Sequence, residues 1–309
     1  MMIDAEILKN EEKISFALRS LYHRRGFRPY RMSKFEEYEL YMKNKDFLRA
    51  PEVITFTDVN GKLMALKPDV TLSIVRASRP GQGELQKLYY DENVYRVSEN
   101  KGGFREIRQA GLECVGAVDD ACVGEVLSLA LESLKLIAED SRLCVSLLGV
   151  VEELLDGLKL EGEARRETLR CLGEKNTHEL KAVCESAGVS PEGAERLRQL
   201  ALLSAAPAEA LPRLSALGCG EAAIAQAERL SAMLPPEAAG RVSLDFSILG
   251  DMRYYNGIVF QGYVPGVPSC VLSGGSYDRL LKRMGKKGRG IGFACYLDKL
   301  ERLEVRGHA

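Results

Sequence analysis

The sequence has no tryptophan, only three histidines and almost no net charge. Lys and Arg number 43 against 44 Asp and Glu, which leaves a formal charge of -1. This balance gives no bulk electrostatic reason to expect nucleic acid or an anionic membrane as the main partner. His23, His178 and His308 are far apart in polar or terminal contexts. They favour neither a metal site nor a histidine-based catalytic triad.

Paired cysteines and long apolar runs are also missing. The eight cysteines are scattered and form no CxxC motif. The N-terminus has no apolar run of the kind found in signal peptides, and no stretch approaches the ~20 apolar residues that a membrane span requires. We therefore expect reduced thiols, no metal or other cofactor, and a cytoplasmic protein.

The first hundred residues contain clear helix and strand signals. The stretch AEILKNEEKISFALRSLYHRRG places Ile7, Ile14, Leu18 and Leu21 on one face of an amphipathic helix that ends at Gly26. In EVITFTDVNGKLMAL, two apolar runs flank an Asn-Gly pair, which predicts a β-hairpin.

Strand signals then stand on both sides of a block of helical segments. LQKLYYDENVYRV precedes the block, and YYNGIVFQGYV and SCVLSGG follow it. Between residues 142 and 240, short Ala/Leu/Glu-rich segments are broken by Gly and Pro. This grouping predicts an α+β fold with an antiparallel sheet flanked by helices. We expect a core of residues 1–141 and 241–309 and a helical insertion subdomain at 142–240.

One predicted strand, FREIRQAGLECVG, carries Arg105, Gln109 and Glu113 at spacings that put all three on one face. Gly111 lies between the last two and is expected to leave an open space. Two interpretations remain open for this face. It is either an ordinary exposed sheet face or the floor of a pocket shaped for a small zwitterion.

Four stretches in this order resemble the catalytic core of histidyl-tRNA synthetase, a class II aminoacyl-tRNA synthetase. They are LMALKPDVTLSIVRA, YRVSENKGGFREIRQAGLECVG, DMRYYNGIVF and SGGSYDRLLKRMGKKGRGIGFACYLDKL. The resemblance runs from about residue 5 to 303. It implies the class II antiparallel sheet, which in that family binds histidine and ATP.

The resemblance also assigns roles to individual residues. Asp69, Thr71 and Gln109 match positions that hold the α-amino group of histidine, and we expect Asp69 and Thr71 on one face of an extended segment. Glu113, Tyr254 and Tyr255 match the positions at the imidazole end. Arg96 and Arg105 match the motif 2 cations. Tyr254 and Tyr255 could equally be an aromatic pair packed in the core of a strand.

Departures from the synthetase pattern concern the cations that adenylate formation needs. Gly250 stands where the synthetase has the arginine that binds the reacting carboxylate, and Arg253 stands at an acidic position. Lys299 replaces the nucleotide-clamping arginine of the third motif, and this exchange loses a planar fork of donors. The sequence stops at Ala309, so we expect no C-terminal anticodon-binding domain.

A sequence that keeps the ligand-binding positions but lacks the catalytic cations resembles the regulatory subunits of ATP phosphoribosyltransferase, a synthetase-like family. That resemblance implies a non-catalytic homodimer within a larger hetero-oligomer. It would pair with a short-form catalytic subunit in the first step of L-histidine biosynthesis and sense L-histidine for feedback.

Two other functions and one surface feature stay open at this point. Arg96, Arg105 and Glu99 keep part of motif 2, which would suit a free-standing aminoacyl-adenylate or aminoacyl ligase. A scaffold with a decayed pocket is the third hypothesis. The basic run at 282–289 is either a solvated loop or a phosphate or RNA contact.

Overall fold

The computed structural model describes residues 7–48, 52–97, 103–235, 238, 240–250, 252, 254–300 and 303. Within these ranges the strands are β1 (Arg28–Pro29), β2 (Phe35–Glu37), β3 (Thr55–Thr57), β4 (Leu63–Leu66), β5 (Leu85–Val97), β6 (Phe104–Gly116), β7 (Arg142–Leu147), β8 (Ser204–Ala205), β9 (Val242–Asp245), β10 (Ile258–Tyr263), β11 (Leu272–Ser276) and β12 (Arg289–Tyr296). The α-helices are α1 (Asn10–Arg24), α2 (Tyr38–Lys43), α3 (Thr71–Ala77), α4 (Asp120–Ile137), α5 (Leu148–Gly157), α6 (Gly162–Gly173), α7 (Thr177–Ser186), α8 (Pro191–Leu202), α9 (Pro207–Ala216), α10 (Glu221–Met233) and α11 (Asp278–Arg283). None of these helices is long and apolar enough to cross a bilayer.

The main sheet has nine strands in the order β1-β5-β6-β12-β11-β10-β7-β9-β8. Every pairing from β5 to β7 is antiparallel, which confirms the predicted antiparallel core. The pairs β1–β5 and β7–β9 near the two ends are parallel, so the complete sheet is mixed. The thirteen-residue strands β5 and β6 form its longest pairing, and this pairing carries one side of the site described below.

The first helix covers one face of this sheet. Ile14, Leu18 and Leu21 of α1 are buried as predicted, and the helix contacts β5 and β6. The Tyr22 ring of α1 meets the Phe293 ring of β12 edge to face, at 6.0 Å between centroids. Ile7 lies before the helix and is 75 % exposed, so the prediction was wrong for this residue. A Glu12 side chain that caps the backbone of Lys9 places the helix start after Ile7.

The predicted hairpin is confirmed and belongs to a separate small sheet. β3 and β4 pair antiparallel around the Asn-Gly turn, and β2 pairs with the other edge of β4. The rings of Phe35 on β2 and Phe56 on β3 pack edge to face at 5.3 Å. This small sheet leads directly into the segment that carries Lys67 and Asp69.

The helical region begins later than the sequence predicted. Arg142–Leu147 forms strand β7, which lies inside the main sheet between β10 and β9, so the boundary at 142 was wrong. Most of this strand is buried, and a strand buried on both faces has no polar alternation to distinguish it from a helical segment. The helices run from Leu148 to Met233, and β8 joins them to the sheet through β9. Their division into a subdomain remains a prediction.

A buried ion pair connects the segment after β4 to strand β5. The Lys67 side chain has no exposed surface, and its ammonium group contacts the carboxylate of Glu92, whose side chain is 17 % exposed. Removing one partner of a buried pair leaves an uncompensated charge. We expect Glu92→Gln, which keeps the side-chain volume, to lower the free energy of unfolding by about 3–5 kcal/mol in urea titrations.

The matched control is Glu37→Gln, because the Glu37–Lys62 pair is about half exposed on both sides. Its loss should change the free energy of unfolding by less than about 1 kcal/mol. Equal effects of the two substitutions would contradict a stabilising role of the Lys67–Glu92 pair.

Candidate functional site

A pocket opens on the face of the main sheet opposite α1, where β6, β12 and β11 meet the start of α3. It is lined by all six residues that the sequence predicted for histidine binding, together with Arg96. They are Asp69, Thr71, Gln109, Glu113, Tyr254 and Tyr255. The structure therefore favours the pocket over an exposed face for Gln109 and Glu113, which are 4 % and 2 % exposed.

The floor of the pocket is formed by small residues of β12. Glu113 lies opposite Gly292 in the antiparallel pairing, so the two positions share one face. A Cβ atom at Gly292 would lie only 1.9 Å from Oε2 of Glu113. Glycine at this position is therefore what allows the carboxylate to lie flat on the neighbouring strand.

The open space expected above Gly111 does not exist. Tyr90 lies opposite Gly111 in the β5–β6 pairing, and a Cβ at Gly111 would lie 2.6 Å from the Tyr90 hydroxyl oxygen. The missing side chain makes room for a tyrosine and leaves no gap for a ligand. Tyr90 lines the pocket but was not predicted, because its position depends on a strand register that the sequence alone does not show.

Asp69 and Thr71 lie at a helix start and do not share an extended segment, so that prediction was wrong. Thr71 is the first residue of α3, and Oδ1 of Asp69 accepts a hydrogen bond from the backbone N–H of Leu72 at 2.8 Å. This contact satisfies one of the unpaired N–H groups of the first helical turn. The Thr71 hydroxyl donates to Oε1 of Glu113 at 2.6 Å. Thr71 and Glu113 were assigned to opposite ends of a ligand, yet they are in direct contact.

Aromatic rings form part of the pocket wall. Tyr254 and Tyr255 lie in the loop before β10, so they are not a strand pair, and their rings meet edge to face at 4.8 Å. Tyr277, which the sequence analysis missed, has its ring 6.2 Å from that of Tyr254 and also lines the pocket. The only sequence signal for Tyr277 was its place directly after the glycine-rich strand β11.

The hydroxyl groups of Tyr254 and Tyr277 remain protonated at neutral pH. Burial raises the pKa of Tyr254 well above its usual value, and the Asp69 carboxylate raises it further. The pKa of Tyr277 is raised by burial and by the nearby Glu113 carboxylate. The pocket therefore combines two carboxylates with neutral phenols, a set that suits a ligand carrying positive charge or N–H donors.

The two motif 2 cations are placed differently. Arg96 lines the pocket, and its Nε donates to the Pro68 carbonyl oxygen at 3.2 Å. Arg105 lies outside the pocket, is 57 % exposed and pairs with Asp298 at 3.3 Å. Burial raises the pKa of Asp298, and the Arg105 guanidinium partly offsets this rise. The sequence grouped Arg96 and Arg105 together, but Arg96 alone of the two faces the pocket.

Neither Gly250 nor Lys299 brings a cation into the pocket. The Lys299 Nζ donates to the Cys270 carbonyl oxygen at 2.7 Å and lies 4.7 Å from the centre of the Tyr296 ring. Gly250 has φ +57°, and a Cβ there would lie 3.0 Å from the Tyr255 ring, so a longer side chain is disfavoured. The predictions for Arg253 and Glu99 lie outside the described residues.

The basic run at 282–289 has a structural contact. The Lys286 Nζ donates to the backbone carbonyl oxygens of Arg76 and Ser78, at 3.2 and 2.9 Å. Cations are favoured at the C-terminal end of a helix, and α3 ends at Ala77. This contact supports a structural role for Lys286.

The pocket is small and narrow. Its volume is about 340 Å³ when its mouth is counted. Two larger clefts, of about 1230 and 1060 Å³, contain none of the six predicted histidine-binding residues. The rings of Tyr254, Tyr255 and Tyr277 belong to the walls that make the pocket narrow.

Known proteins resemble this chain along most of its length. The family model for histidyl-tRNA synthetase matches residues 3–300. The ATP phosphoribosyltransferase regulatory subunit of Anaeromyxobacter dehalogenans is 31 % identical over 96 % of this chain and 88 % of that protein. The regulatory subunit of Moorella thermoacetica is 36 % identical over 82 % of this chain, which spans 66 % of that relative.

Solved structures share the fold. A Bacillus halodurans protein described as an ATP phosphoribosyltransferase regulatory subunit/histidyl-tRNA synthetase is 26 % identical, with a TM-score of 0.79, and covers 94 % of this chain and 78 % of its own. A chain of the ATP phosphoribosyl transferase (HisG:HisZ) complex from Thermotoga maritima has a TM-score of 0.69 at 19 % identity, over 93 % of this chain and 97 % of that one. These matches confirm the predicted fold class. The chain belongs to the histidyl-tRNA synthetase family and, within it, to the ATP phosphoribosyltransferase regulatory subunits.

Proposed function

We propose that this chain is a non-catalytic regulatory subunit that binds L-histidine and controls a short-form ATP phosphoribosyltransferase in the first step of histidine biosynthesis. One observation carries the proposal. The pocket gathers all six residues that match histidine-binding positions, whereas neither Gly250 nor Lys299 supplies it with a cation. Binding without the groups for adenylate formation is what a sensor requires.

The ligand's α-amino group would lie near Asp69 and Gln109. An ammonium group has three donors and needs a carboxylate with neutral acceptors around it. Asp69 already has one oxygen fixed by the Leu72 N–H, so its carboxylate is oriented before a ligand arrives. Among the described residues no side chain hydrogen-bonds to the buried Gln109 amide, so its carbonyl oxygen is available to a ligand.

The imidazole end would lie toward Glu113 and the phenols of Tyr254 and Tyr277. Glu113 is oriented by the Thr71 hydroxyl, and a buried carboxylate makes a strong, charge-assisted hydrogen bond to an imidazole N–H. Arg96 lines the pocket, and it is the natural counterion for the ligand's carboxylate. Together these groups balance each charge of a zwitterionic amino acid.

Ring movement would link ligand binding to regulation. Because aromatic rings line the narrow pocket, we expect the rings around Tyr254 to occupy different positions with and without a bound amino acid. A ligand shifts an equilibrium only through such a difference between states. The loop of Tyr254 and Tyr255 would pass the change on to a partner surface.

The alternative is a free-standing aminoacyl-adenylate ligase, which the presence of Arg96 in the pocket favours. Adenylate formation needs fixed cations around the reacting carboxylate and phosphate, and losing one such preorganised group costs on the order of 3–4 kcal/mol in the transition state. With Lys299 bound to Cys270 and glycine at position 250, two of these groups are missing.

L-Histidine should bind the purified chain, and Glu113→Gln should weaken the binding by about tenfold or more in isothermal titration calorimetry. The expected loss reflects a charge-assisted contact of roughly 1.5–3 kcal/mol. Glu106→Gln is the matched control, since Glu106 is an exposed carboxylate on the opposite face of the same strand. Absence of histidine binding at millimolar concentration, or equal weakening in both variants, would contradict the assignment.

Histidine-dependent pyrophosphate exchange should be undetectable for this chain alone. The physical reason is the loss of the cations at positions 250 and 299. A turnover of about 1 s⁻¹ or more, typical of enzymes with their full catalytic apparatus, would favour the ligase.

Co-expression with a short-form ATP phosphoribosyltransferase catalytic subunit should give one complex in gel filtration, built on a homodimer of this chain. L-Histidine should inhibit the complex and bind more tightly to its inhibited state by the same factor, because coupling between sites is reciprocal. Glu113→Gln should still assemble but lose the inhibition. Separate elution, with catalytic activity unaffected by this chain, would overturn the partnership.

A further inference from the structure

The side chains of β12 become larger along the pocket face. Side chains alternate along a strand, so Gly292, Ala294 and Tyr296 all point to the face on which Glu113 lies. The first two line the pocket floor, whereas Tyr296 lies at its end, opposite Gln109. The floor therefore changes within two residues from a bare backbone and a methyl group to a phenol ring.

The Tyr296 ring is held in place by the Lys299 side chain, which lies over its face. Only 7 % of Tyr296 is exposed, and its backbone N–H donates to the Val271 carbonyl oxygen at 2.8 Å. The Lys299 Nζ lies 4.7 Å from the ring centre while it donates to the Cys270 carbonyl oxygen. A cation over an aromatic face is attracted by the ring quadrupole, so Lys299 and Tyr296 stabilise each other.

The sheet face beyond Tyr296 is also covered. Arg105 lies on the same face of β6 as Gln109, and its guanidinium group pairs with Asp298 in the turn that follows β12. Among the described residues, this pair therefore covers part of the sheet next to the pocket at this end.

We propose that Tyr296, fixed by Lys299, is a wall that restricts the pocket to one free amino acid and keeps the aromatic base of a nucleotide off the adjoining sheet. The amino-acid part of this statement rests on the proposed function, whereas the exclusion of a base does not. A planar base needs an exposed strip of small residues on which to lie. The phenol ring of Tyr296 occupies that strip between Gln109 and Val271.

The test measures the binding of adenosine and, in separate samples, of Mg-ATP as a second probe. Both are measured by saturation-transfer NMR and calorimetry in the absence of L-histidine. The variants are wild type, Tyr296→Ala and the control Tyr296→Phe, which keeps the ring. We expect no adenosine binding to wild type or Tyr296→Phe at millimolar concentration. Tyr296→Ala should gain at least about tenfold in adenosine affinity, about 1.4 kcal/mol, because removing the ring opens the strip of sheet to a planar base.

Adenosine binding to wild type at millimolar concentration would overturn the wall, as would a folded Tyr296→Ala that behaves like Tyr296→Phe. If Tyr296→Ala does not fold, Lys299→Met is the second variant, because it releases the ring without removing it. It should give a smaller gain in adenosine affinity, and no gain would count against the wall. Failure of histidine binding in every variant, with the adenosine pattern intact, would reject the histidine assignment and leave the wall standing.

Discussion

The antiparallel pairing of β6 with β12 is the constraint on which the site depends. It places Glu113 opposite Gly292 and Gln109 opposite Tyr296, which defines both the floor of the pocket and its end. A slip of one residue would turn Gln109 and Glu113 to the face that α1 covers and bury two polar groups in an apolar layer. The register is secured by the long β5–β6 pairing on one side and by β11 on the other.

This register creates an electrostatic problem that the surrounding elements resolve. Asp69 and Glu113 are two buried carboxylates in one pocket, and charges without partners in such a place are costly. The start of α3 meets part of the cost, because it supplies the Leu72 N–H to Asp69 and the Thr71 hydroxyl to Glu113. A ligand with an ammonium group and imidazole N–H donors would satisfy the remaining acceptors. The groups that would bind such a ligand are therefore positioned by the same contacts that fold the chain.

Periodicity in the sequence was sufficient to predict the helices and strands that have one apolar face. The alternation along FREIRQAGLECVG correctly placed Gln109 and Glu113 together, and the Asn-Gly pair correctly marked the hairpin. Periodicity could not predict β7, because this strand has no polar face. It also could not predict the local role of Asp69, because that role depends on where α3 begins. Tyr254 and Tyr255 were predicted from the family resemblance, because residues in a loop follow no helix or strand periodicity.

Cross-strand and long-range contacts could not be predicted in the same way. Tyr90 reaches the space above Gly111 only because of the β5–β6 register, and Tyr277 approaches Glu113 only after α11 has packed against β12. The direction of Lys299 is a further example. A lysine in place of an arginine suggests a weakened but present cation, yet in the fold its ammonium group bonds to Cys270, away from the pocket.

Binding and catalysis place different demands on such a pocket, and the cations among the described residues favour binding. Catalysis requires groups that stabilise the transition state more than the substrate, so its cations must point at the reacting atoms. Regulation requires only that the ligand bind two states of the protein unequally. Arg96 can neutralise a ligand carboxylate in the pocket, whereas Arg105 and Lys299 are held outside it by Asp298 and Cys270. Among the residues that the structure describes, Arg96 is thus the cation placed to hold a zwitterion, and it meets the demand of binding without meeting the further demands of catalysis.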